Sequence, residues 1–118
     1  MPYVDGFVIP IPKKNIAAYK KIAQIACAVW KDYGALEYRE CVGDDLKTQF
    51  GISFSKLAKA KPGETVIFAW ITYKSKAHRN AVNKKVMKDP RILASCKKKM
   101  PFDVKHLTYG GFKVIVGY

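Results

Sequence analysis

The hydrophobic residues of this chain change their spacing several times, and each change predicts a new element. Residues 3 to 11 are rich in Tyr, Val, Phe and Ile and are closed by Pro10 and Pro12, which predicts a first strand. Over residues 13 to 33 the apolar side chains recur every three or four positions, which predicts an amphipathic helix. Gly34 fits the left-handed conformation that commonly ends a helix.

The rest of the chain repeats this succession of strands and helices. A strand, an irregular polar stretch and another strand precede a helix capped by Ser75, a short helix started by Asp89 and Pro90, and a last strand. In that last strand, the Gly110-Gly111 pair indicates a bulge or a close backbone approach. The predicted ranges are 35–42, 43–63, 66–73, 76–88, 90–99 and 106–118.

The order strand, helix, strand, strand, helix, strand predicts an α+β fold. It is the ferredoxin-like βαββαβ arrangement, in which both helices lie on one face of a four-stranded antiparallel sheet. A chain of 118 residues suits one domain, and no linker divides it. We therefore expect a single domain over residues 1–118.

The stretch from Val66 to Tyr73 raises the question of what covers the second face of this sheet. It contains no charged residue, and both of its alternating faces are apolar. An uncovered sheet of this composition would expose an unusually large apolar patch for a monomer. The sequence therefore predicts a homodimer that packs sheet against sheet about a two-fold axis. The rival cover is the segment 43–63, which looks too polar for that role.

Composition indicates where in the cell the protein is located. No apolar run reaches the ~18 residues of a membrane-spanning helix, and the N-terminus lacks the order of a signal peptide. Three cysteines are an odd number without disulfide or zinc spacing, which favours the reducing cytoplasm. We expect a cytoplasmic protein that is not associated with a membrane.

The net charge of +13 permits binding to nucleic acid or to another acidic partner. The basic residues are nevertheless spread along the chain, with Lys97–Lys99 as the only triplet, and no RNA-binding motif accompanies them. A solvated basic surface is therefore the preferred interpretation. RNA binding through the lysine-rich helices is kept as an alternative.

Four blocks of sequence that together span nearly the whole chain point to a family. They read YVDGFVIPIPKK, GALEYRECVGDD, ETVIFAWITYKSKAHRNAVNKKVMKDPR and MPFDVKHLTYGGFKV. These blocks resemble the YbaA-like family of small bacterial proteins, whose function is unknown. The resemblance implies the dimeric α/β-barrel superfamily, in which the sheets of two ferredoxin-like protomers face each other. Cofactor-free monooxygenases share that superfamily fold, but a fold does not determine a function.

The candidate site is a pocket between the helices and the sheet that binds a small anionic or aromatic molecule. Arg39 has the planar fork that orients an acidic group, and His78 opens a helix, where it would serve as base or hydrogen-bond donor. Aromatic side chains provide the walls of such pockets. The predicted lining residues are Tyr38, Arg39, Trp70, Tyr73 and His78.

Each of these residues also has a purely structural interpretation. Arg39 suits an ion-pair network or the rim of a dimer, the rings suit a plain core, and a histidine at the start of a helix is often only partly exposed. No motif specifies a reaction, so the enzymatic alternative is a cofactor-free oxygenase or isomerase with His78 as base. Asp44 and Asp45 lack a third ligand at a useful spacing, and we predict neither a metal nor a cofactor.

Overall fold

Four strands form one antiparallel sheet in the order β2-β3-β1-β4, which confirms the predicted α+β ferredoxin-like fold. The computed structural model describes all residues, 1–118. None of its helices has both the length and the apolar composition that crossing a bilayer requires. The elements are β1 Tyr3–Pro12, α1 Ile16–Asp32, β2 Glu37–Val42, α2 Phe54–Leu57, β3 Glu64–Tyr73, α3 Lys76–Val86, α4 Pro90–Cys96 and β4 Thr108–Lys113.

The strand register sorts the side chains of the sheet into two faces. On β3, alternate residues from Ile67 to Tyr73 turn toward α1, α3 and α4 and are almost fully buried. We call this side the helix face. The side chains between them, including Phe68 and Trp70, turn to the other side, which we call the open face. The alternation gives β3 its two apolar faces.

The helices bury one stripe each against the helix face. Val29 of α1 and Val82 and Val86 of α3 are at most 2% exposed, and they pack with the end of β3. The apolar residues of the helix predicted over 76–88 are Ala77, Ala81, Val82 and Val86, and the sequence pattern places all four on its buried side, but Ala77 and Ala81 are exposed. Each lies one residue before a stripe position, and one residue turns the side chain by about 100° around the helix axis.

The segment 43–63 covers one end of the open face, contrary to the expectation that it is too polar to do so. Ser53 caps α2 by accepting a hydrogen bond from the Lys56 amide at 3.2 Å. This short helix places the ring of Phe54 edge-on to Phe68, with centroids 5.7 Å apart. Beside them Val66 is only 2% exposed. The rest of the open face, including Phe112 of β4 at 61% exposed, has no cover within the chain.

The last strand is shorter than predicted, because it has no partner beyond Lys113. That residue pairs with Tyr3, the first residue of β1. The Val114 amide still donates to the Pro2 carbonyl oxygen at 3.1 Å, but Ile115 and the residues after it lie outside the sheet and are exposed.

The Gly110-Gly111 pair does not form a bulge. Both residues pair in regular register, with Gly6 and Asp5 respectively. At Gly111, however, the side chains of Tyr3 and Arg79 lie directly over the backbone, where any larger side chain would meet them. The close approach at this position is therefore made by side chains.

A buried acid starts α4. The Asp89 carboxylate caps the helix by accepting from the Arg91 amide at 2.8 Å, and it also pairs with the Arg91 guanidinium. The Tyr33 hydroxyl donates to the same carboxylate at 2.8 Å. The hydrogen bonds from Arg91 hold the pKa of Asp89 well below its usual range.

We expect Asp89 to contribute to loss of stability in acid. A carboxyl with a depressed folded-state pKa stabilises the fold above its unfolded pKa of about 3.9, and this contribution is lost as the pH falls below that value. Urea denaturation at pH 7 and pH 3 should therefore show a smaller acid loss for Asp89→Asn than for the wild type. Asp44→Asn, at an exposed position, is the control, and an equal acid loss in all three proteins would contradict the assignment.

Candidate ligand-binding site

Two adjoining cavities lie on the helix face, between α1 and the sheet. Their volumes are about 500 Å³ and about 200 Å³. Four residues line both cavities, and these are Tyr19, Ala23, Tyr38 and Glu40. The larger cavity continues along the edge strand β2, and the smaller one extends under α1 toward β1.

A carboxylate held by two tyrosines lies where the cavities meet. Tyr38 and Glu40 are two residues apart on β2, so both side chains reach the helix face. Tyr19 approaches from the buried stripe of α1. The Tyr19 hydroxyl donates to Glu40 Oε1 at 2.7 Å, and the Tyr38 hydroxyl donates to Glu40 Oε2 at 2.7 Å. We call these three residues the Tyr-Glu-Tyr cluster.

Burial keeps the two tyrosines of the cluster protonated. Burial raises the pKa of Tyr38 and of Tyr19 far above the usual value, and the hydrogen bonds to Glu40 add to this rise. Both hydroxyls therefore stay protonated and act as donors, which leaves the carboxylate as acceptor. None of the ion pairs in the structure includes Glu40.

Aromatic rings form much of the wall of the smaller cavity. The Trp30 ring centroid lies 6.0 Å from that of Tyr38, and the Phe102 centroid lies 5.8 Å from that of Tyr19. Phe7 of β1 lines the same cavity. The site therefore combines a wall rich in aromatic rings with one carboxylate, an arrangement that suits a largely apolar molecule with a single polar group.

Of the five predicted lining residues, Tyr38 alone lies in the cluster. Arg39 is among the residues that line the smaller cavity, as predicted, but its side chain lies on the open face, where Arg39 pairs with Trp70 across β2 and β3. Trp70 lines neither cavity. On the open face the Arg39 guanidinium lies 3.6 Å from Glu37, and Trp70 Nε1 donates to Glu37 at 2.7 Å. The reason is the two-residue repeat of a strand, which sends neighbours such as Tyr38 and Arg39 to opposite faces.

Tyr73 and His78 lie at the other end of the helix face and line neither cavity. Tyr73 is fully buried, and its hydroxyl accepts from Trp30 Nε1 at 3.0 Å and donates to Asn83 at 3.2 Å. His78 Nδ1 accepts from the Lys74 amide at 3.0 Å, so only Nε2 is free of the backbone. Of the five predicted residues, Tyr38 and Arg39 line the smaller cavity, and the other three line neither cavity.

Two residues of the cluster were not predicted as part of a site. In the sequence, Tyr19 falls on the apolar stripe of the helix predicted over 13–33, and Glu40 falls among the charged residues near the end of the strand predicted over 35–42, and neither was among the predicted lining residues. The sequence did contain a signal that could have predicted Glu40 as a site residue. Glu40 follows Tyr38 by two residues in a strand, so the two side chains lie on the same face of the sheet. An acid on an inward-facing strand position requires a partner, and a tyrosine on the helix stripe is a suitable donor.

The family of the chain follows from comparison with known proteins. The model of the family described as "Protein of unknown function (DUF1428)" matches residues 2–104. The chain belongs to the DUF1428 family. The uncharacterized protein YbaA of Escherichia coli K12 is 41% identical to this chain over 116 residues, which cover 98% of both chains. This confirms the resemblance drawn from the four sequence blocks.

Solved structures support the fold assigned to this DUF1428 protein. A nipsnap family protein with unknown function from Agrobacterium tumefaciens superimposes with a TM-score of 0.59 at 16% identity, over 96% of this chain and 87% of that one. A dimeric ferredoxin-like protein from an uncultured marine organism gives 0.53 at 15% identity over the full length of both chains. At these identities the likeness establishes the fold alone.

Proposed function

We propose that the protein binds a small, largely apolar molecule in the two cavities of the helix face. The observation that carries this proposal is the Tyr-Glu-Tyr cluster at their junction. A polar cluster in an apolar wall is the usual composition of a small-molecule site, in which the polar groups fix the orientation of the ligand. The site uses Tyr38 of the predicted set, together with Tyr19 and Glu40.

The proposal includes a homodimer in which the open faces of two copies cover each other. Its support is the uncovered apolar surface around Phe68 and Phe112, and the dimeric state of the ferredoxin-like protein with the same fold. This arrangement leaves both helix-side sites free for ligand. We also propose a cytoplasmic location, since the three cysteines are unpaired, as is usual in a reducing compartment.

Filling the cavity tests the binding proposal. Ala23 lines both cavities, so Ala23→Phe should remove the space that a ligand needs. Titration of ¹⁵N-labelled protein with 2-phenylethanol should shift amide signals of residues 16–27 and 38–42 in the wild type, but not in Ala23→Phe. Ala28→Phe, at an exposed position of the same helix, should bind like the wild type. Shifts confined to the open face, or no shifts in any protein, would contradict the proposal.

The geometry favours this function over the two alternatives. His78 lines neither cavity, and its Nδ1 accepts a hydrogen bond from the backbone. The oxygenase or isomerase hypothesis needs a substrate next to His78 as base, and neither cavity places one there. Lysines on the outer surfaces of the helices, among them Lys21, Lys84 and Lys85, are all exposed. That distribution suits a solvated surface, and RNA binding would show itself as affinity that falls steeply with salt.

A further inference from the structure

The Glu40 carboxylate accepts hydrogen bonds from two tyrosines and takes part in none of the ion pairs of the structure. A partly buried carboxylate loses part of its hydration, and neutral tyrosine hydroxyls do not neutralise its charge. Lys20 lines the larger cavity but makes no ion pair with Glu40. The cluster therefore places a carboxylate without an ion-pair partner inside a protein whose net charge is +13.

The carboxylate also has room for further donors. A carboxylate presents about four lone-pair positions, and the two tyrosines use one on each oxygen. Glu40 lines both cavities, so the remaining positions are within reach of a ligand in either one. A group that donates hydrogen bonds would complete the set, whereas a group that only accepts them would be repelled.

The aromatic wall favours the same kind of group. The faces of Trp and Tyr rings carry partial negative charge and attract cations within about 6 Å of the ring centroid. Trp30, Tyr38 and Tyr19 line the smaller cavity together with Glu40. A cationic nitrogen there would meet a carboxylate and aromatic rings, whereas an anion would be repelled by the carboxylate. Arg39 also lines this cavity, but its guanidinium lies on the open face beside Glu37 and does not reach an anion there.

We propose that the ligand is an organic cation, an amine or a quaternary ammonium attached to an apolar body. Its nitrogen lies against Glu40 in the smaller cavity, and its apolar body extends into the larger one. This rests on the proposed function, the binding of a small molecule in these cavities, and adds the chemical class of the ligand. It replaces the anion expected from Arg39, whose guanidinium lies on the open face.

A matched series of probes tests the charge of the ligand. The compounds 2-phenylethylamine, 2-phenylethanol and 3-phenylpropanoate share one skeleton and end in a cation, a neutral group and an anion. NMR titration of the wild-type protein should give about tenfold tighter binding for the amine than for the alcohol, and the weakest binding for the anion. The net charge of +13 acts against this order, so local contacts must cause it.

Two variants assign the preference to the cluster. Glu40→Gln keeps the size of the side chain and removes its charge, so the amine should lose its advantage over the alcohol. Glu37→Gln is the same substitution on the same strand, three residues before Glu40, but the Glu37 side chain lies on the open face, so this variant should keep the wild-type order.

The outcomes separate the two proposals. Binding of the alcohol and the amine at equal strength, or an amine preference that survives Glu40→Gln, would overturn the cationic ligand and leave the binding site standing. No binding by any of the three compounds would overturn both. If Glu40→Gln fails to fold, as judged by circular dichroism, the order of the three compounds on the wild type decides alone.

Discussion

We expect the Phe112→Glu variant to sediment as a monomer, whereas the wild-type chain sediments at twice its mass of 13.3 kDa. Phe112 is 61% exposed on the open face, and a two-fold interface would bury it once from each protomer. Burial of a phenylalanine side chain is worth about 2 kcal/mol, so losing two of them weakens dimerisation on the order of 1,000-fold. The buried carboxylates add a further cost.

Tyr109→Glu provides the matched control for this prediction. Tyr109 lies on the same strand at 70% exposure, but its side chain is on the helix face, where it stacks on Phe7. The control should remain a dimer in analytical ultracentrifugation. A wild-type monomer, or a Phe112→Glu dimer as tight as the wild type, would contradict the sheet-to-sheet interface.

Removing Arg79 should cost about 3 kcal/mol of the free energy of unfolding. Arg79 Nε donates to Asp5 Oδ1 at 3.1 Å, and its guanidinium lies 5.0 Å from the centroid of the Tyr3 ring. Asp5 is only 7% exposed, so Arg79→Ala leaves a buried charge without its cation. We place the cost at the low end for a buried pair, since the Arg79 side chain is 24% exposed.

A double-mutant cycle measures whether the pair is the cause. Urea denaturation at one fixed protein concentration should show that Asp5→Ala/Arg79→Ala is far less destabilised than the two single changes would sum to. Lys84→Ala, at an exposed position, should change stability by less than about 0.5 kcal/mol. Simple additivity of the single changes would mean that the two residues act independently.

The ranges of the elements were well predicted where hydrophobic spacing and capping residues agreed. The strand predicted at 66–73 is present as Glu64–Tyr73, and the helix predicted over 13–33 is present as Ile16–Asp32 after a short 3₁₀ turn. The last strand was predicted as too long because the apolar residues after Lys113 look like strand residues. Pairing decided otherwise, since β1 offers no residue opposite them.

The candidate site was predicted less well than the fold, for a geometric reason. Arg39 and Tyr38 are adjacent in sequence but lie on opposite faces of the sheet, and Tyr73 and Trp70 are separated in the same way. The prediction grouped these residues in one pocket because they are close along the chain, but the pleat of the strand sends their side chains to opposite faces. Conversely, Tyr19 and Glu40 are 21 residues apart and lie on different elements, and only their packing brings them into contact.

The sequence by itself determined the order of the elements, the ferredoxin-like fold and the family, because local spacing and caps carry that information along the chain. It also determined that β3 would need cover on both faces. Tertiary structure alone decided which polar side chains meet, since a hydrogen bond between α1 and β2 depends on the angle and depth at which the helix packs. The Tyr-Glu-Tyr cluster between the two cavities is therefore a property of the folded protein, and the proposed cationic ligand depends on it.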